Sequence, residues 1–381
     1  MVLVIDASNI RSGGGLTHLK GILNSYNLDW GFHRIIVYSN IKTLNSLPNK
    51  DWLIKETHSL LNKSFLWSFF FQIFILTKYA KEKHKCDIVF VPGGTFFGNF
   101  KPFVTMSRNM LPFELEEAFR YESWKIRARF IVLFFTQILT FKRAKGVIFL
   151  TNYAKKIIIK RINSLTPKHI VIPHGIDSSF INLPKKQNNI NTYSVDKPFR
   201  FLYVSAVNAY KHQWNVAEAI LKLRDGGFNV ALQLIGPSTV DGLIKLNKII
   251  NSDRNNNTVT YLGSKNHDEL KKYYKNADAF IFASSCENMP NILIEAMTSG
   301  LPIASSSKGP MPEVLGDNGL YFDPLFVNSI CDTLKQLILN SEERSVRAHR
   351  AYQKTKKYTW EECSEKTFKY LLNNINNENN R

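Results

Sequence analysis

Two carboxylates eight residues apart, Glu287 and Glu295, bracket a helix start in the run Ser284-Ser285-Cys286-Glu287-Asn288-Met289-Pro290-Asn291. Pro290 suits the first helical position, where a missing N–H costs nothing, so the N–H groups of Asn291, Ile292 and Leu293 are expected to be free donors at a positive helix end. Such an end holds an anion. A carboxylate beside it accepts hydrogen bonds from vicinal hydroxyls, each charge-assisted bond contributing roughly 1.5–3 kcal/mol. Ribose and hexose both offer such diols, so the pattern outlines a sugar-nucleotide site. A solvated pair of glutamates is the plain alternative. Placement favours function: Glu287 falls in a loop after an apolar run ending at Ala283, and Glu295 lies one to two turns into the helix.

A second anion cradle follows the first apolar run, in Asn9-Ile10-Arg11-Ser12-Gly13-Gly14-Gly15-Leu16-Thr17-His18. Glycines let backbone N–H groups approach a diphosphate, and a helix expected from about Leu16 adds its positive end. The spacing is neither Gly-x-Gly-x-x-Gly nor a Gly-Lys-Ser/Thr loop, which argues against a dinucleotide or an NTPase site. His18 on that helix either faces the site or packs against the core.

These motifs need strands to carry them. Short apolar runs alternate with helical patterns, which predicts parallel sheets covered by helices. The strands expected in the first half are Val2–Asp6, Arg34–Tyr38, Ile88–Val91, Phe103–Met106, Gly146–Leu150 and His169–Ile172. In the second half they are Arg200–Ser205, Val230–Ile235, Thr258–Leu262, Ala279–Ala283, Pro302–Ser305 and Leu320–Phe322. The fold class is α/β, two doubly wound Rossmann-like domains facing across a cleft, with ligand loops at the carboxyl ends of the strands. The expected division is 1–180 on the acceptor side, a polar linker 181–197, a donor domain 198–357, and a helix and tail 358–381 that crosses back to the first domain. Asn376 to Arg381 is expected to fray.

Composition sets the setting. The chain has 381 residues, a formal charge of +19 and four cysteines with neither Cys-x-x-Cys spacing nor a matching His cluster, which predicts reduced thiols and no zinc site. It opens on a strand pattern without a basic leader, and no run reaches the ~18 uninterrupted apolar residues of a spanning helix, so the expected location is cytoplasmic. Between Arg120 and Lys168 bases such as Lys125, Arg127, Arg129, Lys142, Arg143, Lys155 and Arg161 face the single acid Glu122 and interleave with Trp124, Phe130, Phe134 and Phe135. That block predicts a peripheral surface for anionic lipid headgroups rather than nucleic acid. A solvated basic face over an aromatic core is the alternative.

The spacing Glu287-x7-Glu295, with Glu295-Ala296-Met297-Thr298-Ser299-Gly300-Leu301-Pro302, resembles the signature of retaining glycosyltransferases of the GT-B fold, family 4. Ile172-Pro173-His174-Gly175-Ile176-Asp177, Tyr261-Leu262-Gly263, Ala277-Asp278-Ala279-Phe280 and Tyr358-Thr359-Trp360-Glu361-Glu362 are similar to features of that family in the same order. The resemblance implies that Glu295 holds the donor ribose and that Glu287 meets the transferred sugar. It places Asn288, Met289, Pro290 and Asn291 near sugar or diphosphate. It also implies that Lys211 neutralises the leaving diphosphate and that Gly14 and Gly15 belong to the glycine-rich loop. Two positions depart from the pattern: Ala206 and Val207 stand where many members carry an arginine, and Arg108 stands where many carry a histidine. Arg108 can bind acceptor or donor groups as a cation but cannot act as a base. Together with His18, Asn109 is an acceptor-side candidate.

No Asp-x-Asp occurs, so no metal and no cofactor is expected, and the nucleoside-diphosphate sugar is the substrate. The expected activity is transfer of its sugar, with retention, to a lipid-linked saccharide in bacterial surface-polysaccharide assembly such as O-antigen, lipopolysaccharide or capsule. A GT-B nucleotide-sugar 2-epimerase, or a non-catalytic sugar-nucleotide-binding partner, are the alternatives.

Overall fold

The computed structural model describes residues 1–163, 167–253 and 257–375; the tail Asn376 to Arg381, expected to fray, lies outside them. The chain divides into two compact units. Unit 1 comprises Met1–Leu115, Ser123–Gly175 and the chain from Tyr358, and unit 2 comprises Glu116–Glu122 and Ile176–Lys357.

Unit 1 holds, among the described residues, the strands β1 (Val2–Asp6), β2 (Arg34–Tyr38), β3 (Leu53–Glu56), β4 (Ile88–Val91), β5 (Phe103–Met106), β6 (Gly146–Phe149) and β7 (Lys168–Val171). All pair in parallel in the order β3-β2-β1-β4-β5-β6-β7. β1, β4, β5 and β6 are buried along their whole length, as continuous apolar strands covered on both faces must be. β3 was not expected. It is a short edge strand, mostly half-buried, whose sequence Leu-Ile-Lys-Glu has no apolar period.

The helix Trp360–Ile375 completes this unit rather than trailing from it. Ser364 Oγ donates to the Ile22 carbonyl at 2.7 Å and Tyr370 OH to the Lys168 carbonyl at 2.7 Å. Phe368 packs on Tyr26 with ring centroids 4.3 Å apart. Glycine makes the approach feasible: a Cβ on Gly175 would stand 2.3 Å from the Trp360 nitrogen, and one on Gly21 2.3 Å from its ring.

Unit 2 holds β8 (Phe199–Val204), β9 (Val230–Ile235), β10 (Val259–Tyr261), β11 (Ala279–Phe282), β12 (Ile303–Ser306) and β13 (Leu320–Phe322), parallel in the order β10-β9-β8-β11-β12-β13. The order reverses at β8 and β11, so the loops leaving their carboxyl ends flank the switch point where open α/β sheets bind ligands. In unit 1 the corresponding reversal lies at β1 and β4. The chain leaves unit 1 at Gly175, earlier than position 180, and the polar stretch 181–197 is not a free linker. Its Asn182 N–H donates to the Thr298 carbonyl at 3.2 Å, and the almost fully buried Arg344 donates to the Asn188 carbonyl at 2.5 Å and to Gln187 Oε1 at 3.2 Å.

Candidate active site

In unit 2 the loop after β8 delivers Lys211. Asn208 Oδ1 accepts from the Ala209 N–H at 2.8 Å and opens the short turn Ala209–Lys211. Tyr203 OH fixes its end by donating to the Lys211 carbonyl at 2.6 Å. His212 then takes φ +51°, the left-handed region that a non-glycine residue occupies only when its surroundings dictate it, before the helix Gln213–Asp225 begins. This tight reversal turns the Lys211 ammonium into the sheet end, over the rings of Tyr210 and Phe282 at 4.9 and 5.3 Å.

The loop after β11 delivers its partner. Lys211 Nζ pairs with Glu287 Oε1, the side chains being only 7% and 16% exposed. The two residues come from loops on either side of the switch point and are 76 apart in sequence.

The helix that follows spans Asn291–Thr298. Pro290 is its cap rather than its first residue, with ψ 97°, and its carbonyl accepts from the Leu293 N–H at 3.1 Å. Leu293 is therefore not a free donor, and the open N–H groups among the described residues are those of Asn291 and Ile292. Asn291 Oδ1 is a buried acceptor without a partner among the described residues, a vacancy suited to a hydroxyl. Asn288 and Met289 are buried. Glu295 sits one turn on. Burial pushes its carboxyl up to about 7, the hydrogen bond from Tyr274 OH at 3.1 Å pulls down, and the Asp177 charge pushes up again.

Sequence reasoning missed the residues that brace this pair. Ser285 Oγ donates to Glu117 Oε2 at 2.5 Å and lies 2.9 Å from His212 Nε2, while the Ser285 N–H donates to the Tyr210 carbonyl at 2.9 Å. Arg120 Nε donates to the same Glu117 oxygen at 2.7 Å. Tyr121 is hydrogen-bonded to Asn208. Glu117, Arg120 and Tyr121 belong to the seven-residue excursion Glu116–Glu122, which the chain makes into unit 2 between stretches of unit 1. Ser285 and His212 were legible only as neighbours of Glu287 and Lys211; Glu117 carried no reading, and Arg120, read as the first base of the lipid-facing block, instead lies in unit 2 bonded to Glu117.

In unit 1 the helix after β1 spans Gly13–Asn24, so the glycine run forms its first turn instead of preceding it at Leu16. Gly13 takes φ +64°. Gly14 is exposed and Gly15 half-buried. Arg108, after β5, reaches this turn: its Nη1 donates to the Gly15 carbonyl at 3.3 Å, and burial lowers its pKa to about 10, well within the charged range at neutral pH. Gly15 and Arg108 thus form one group.

The other two candidates of this unit are placed differently. Asn109 Oδ1 accepts from the Leu111 N–H at 3.1 Å and so shapes the loop. His18 is fully buried, on the inner face of its helix, with its Nδ1 2.8 Å from His174 Nδ1 and its ring against Trp360. Burial, then His174 and Arg108, hold it well below the usual histidine range. Of its two readings the structure takes the packed one, because the helix begins three residues earlier than the sequence suggests and its register turns position 18 inward.

Residues 185–354 match the family described as glycosyl transferases group 1. That segment holds Lys211, Glu287, Glu295 and the loops that carry them. Among curated proteins the chain is 31% identical over 109 residues to the O-antigen chain mannosyltransferase B of Escherichia coli, covering 29% of each. The matched stretch thus spans under a third of that relative's length. Among solved structures it resembles a sucrose-phosphate synthase from Thermosynechococcus elongatus, with a TM-score of 0.77 at 14% identity and 98% of each chain covered. It also resembles the Anabaena protein HepE in complex with UDP-glucose, at 0.69 and 16%, covering 98% of this chain and 99% of that one. At these identities the likeness gives the fold, and that fold is GT-B: two Rossmann-like units of parallel sheet.

Proposed function

We propose that the whole chain is a group 1 glycosyltransferase of family 4. It moves a sugar from a nucleoside-diphosphate sugar to a lipid-linked saccharide with retention of configuration, in bacterial surface-polysaccharide assembly at the inner face of the cytoplasmic membrane. The observation that carries this reading is the buried Lys211–Glu287 pair at the switch point of unit 2, inside the segment that matches the family. The UDP-glucose held by HepE and the O-antigen role named for the E. coli relative support donor class and setting.

In the resting protein Lys211 and Glu287 neutralise each other. A bound donor places its diphosphate against Lys211 and its sugar hydroxyls against Glu287, while Glu295 accepts from the ribose diol and the Asn291 and Ile292 N–H groups complete the anion contacts. As the C1–phosphate bond breaks, charge grows on the departing oxygen, and preorganised cations and N–H dipoles stabilise it without reorganisation. The acceptor hydroxyl forms the new C1–O bond on the same face, and its proton passes to the leaving phosphate. Gly14, Gly15 and Arg108 supply a second anion cradle. Lys211 fills the cationic role, so the reaction is proposed to be metal-independent.

The membrane reading rests on an apolar stripe. On the helix Trp124–Arg143 the exposed Ile131, Phe135 and Leu139 recur at helical spacing, opposite the buried Phe130, Gln137 and Phe141. Leu66, Phe70 and Phe74 form a second exposed stripe on the helical stretch from Phe65, and Phe74 and Phe135 are about two-thirds exposed. Both stretches meet the same loop: Phe69 meets Phe97 edge-to-face with ring centroids 4.5 Å apart, and Arg143 donates to the Gly98 carbonyl at 2.7 Å. Exposed bases such as Lys125 and Arg129 flank the stripe. No helix among the described residues is long and apolar enough to cross a membrane; the proposed contact is a surface that lies on headgroups.

The test is nucleoside diphosphate release from a panel of nucleotide sugars, with and without a bacterial lipid extract, in EDTA. Acceptor-dependent release supports the proposal. Acceptor-free isomerisation would make the chain an epimerase, binding without turnover a non-catalytic partner, and loss of activity in EDTA would overturn metal independence.

A further inference from the structure

Beside the Lys211 turn, within unit 2, lies a cavity of about 350 Å³ that the donor contacts above do not use. It falls in the size range of small-molecule sites. Its walls are the half-buried indole of Trp214, the guanidinium of Arg120, the ammonium of Lys245 and the imidazole of His212, with Ala209 between them. Among the described residues no carboxylate lines it.

Each wall has a definable capacity. Arg120 spends Nε on Glu117, and its two terminal nitrogens make no hydrogen bond among the described residues. Lys245 Nζ lies 5.7 Å from the Trp214 ring centroid and bonds Glu122 at 2.9 Å, a half-exposed contact of small worth that an incoming anion can replace. His212 has a fixed tautomer. Because the Ser285 hydroxyl donates to Glu117, the hydrogen between Ser285 and His212 must sit on His212 Nε2, which leaves Nδ1 as a bare acceptor. Burial, and the Arg120 charge after it, lower this imidazole to about 4, so it stays neutral at working pH.

An aromatic face, a neutral acceptor for a hydroxyl and two cations with unused donors describe the chemistry of a charged sugar. We propose that this cavity is a subsite for a saccharide unit bearing a negative group, phosphate or carboxylate, on the acceptor. The sugar ring lies against Trp214, a hydroxyl donates to His212 Nδ1, and the anion takes Arg120 and Lys245. The inference rests on the transferase reading for the term acceptor, but the cavity's chemistry stands on its own walls.

The experiment is isothermal calorimetry of the full chain with glucose 6-phosphate, glucuronate and glucose, each with and without saturating UDP. Glucose 6-phosphate or glucuronate is expected to bind, whichever does so identifying the anion, with neutral glucose at least tenfold weaker. UDP leaves that binding intact, Lys245→Gln weakens it tenfold or more, and Trp214→Ala abolishes it, while both variants keep the wild-type affinity for UDP. Failure of both anionic sugars to bind, displacement by UDP, or equal binding of glucose would overturn the proposal, as would unchanged binding in both variants. If UDP itself does not bind while the anionic sugar does, the transferase reading fails and the subsite survives.

Discussion

Removing Glu287 separates two consequences of its pairing with Lys211. In Glu287→Ala the ammonium keeps a 7% exposed position without a counter-charge. Breaking a buried pair from one side costs about 3–5 kcal/mol. The rings of Tyr210 and Phe282, at 4.9 and 5.3 Å, return only about 0.5–1 kcal/mol each. The net is about 1–4 kcal/mol, and at about 2–4 °C per kcal/mol for a unit of this size the midpoint falls by roughly 2–16 °C. UDP supplies a new anion. Its diphosphate gives the orphaned lysine a partner, so the upward shift of the melting midpoint at saturating UDP is larger in Glu287→Ala than in the wild type and smaller in Lys211→Ala. Scanning fluorimetry at pH 7.5 with and without UDP reads both. Equal UDP shifts in the wild type and Glu287→Ala would refute the placement of Lys211 against the donor phosphates, and a midpoint loss under about 2 °C would refute the burial argument.

Other perturbations reach other parts of the chain. Glu295 titrates at about 7 in the folded protein against 4.5 when unfolded, so the folded state takes up a proton across that window and stability declines as pH rises through it. Urea midpoints between pH 5 and 8 should show the decline in the wild type and its loss in Glu295→Gln, while UDP affinity rises over the same range in the wild type alone. Gly300 and Gly263 have nearly the same left-handed φ, +67° and +65°, but a Cβ at 300 would meet the Pro184 nitrogen at 2.6 Å and one at 263 meets nothing within 4 Å. Gly263→Ala should cost only the ~1–2 kcal/mol of a left-handed residue, and Gly300→Ala should cost well over that in denaturant unfolding. Replacing Lys125 and Arg129 by glutamine removes two bases worth about 1 kcal/mol each at an anionic surface, a roughly thirtyfold loss in partitioning to phosphatidylserine vesicles at low salt; unchanged co-sedimentation would remove the membrane reading.

The sheets were readable because their strands are buried on both faces and so appear as unbroken apolar runs between turn residues, as in Ile88–Val91 and Ala279–Phe282. β3, at an edge and ending in Lys55 and Glu56, carries no such run. Lys211 and Glu287 were legible as motif residues, but their contact joins positions 76 apart and follows from the reversal of strand order, which no local spacing encodes. Glu117 lies 168 residues from Ser285, and nothing in Leu115-Glu116-Glu117-Ala118 distinguishes it from an exposed acid. His18 is the opposite case. Its local context fitted a site, and a shift of the helix start by one turn sent it into the core.

The packing of Trp360 against Gly21 and Gly175 sets the order in which the protein can be completed during its synthesis. The ribosome releases both glycines, and every strand of the first sheet, long before the tryptophan that fills the space between them. The second unit can close on itself as soon as Lys357 emerges, because it borrows only Glu116–Glu122 from upstream. The first unit must wait with one helix-sized gap in its apolar cover until the stretch from Tyr358 has been made. The nascent chain therefore finishes its later-made half first, and a frameshift or stop codon near position 357 leaves the earlier-made half without its last wall.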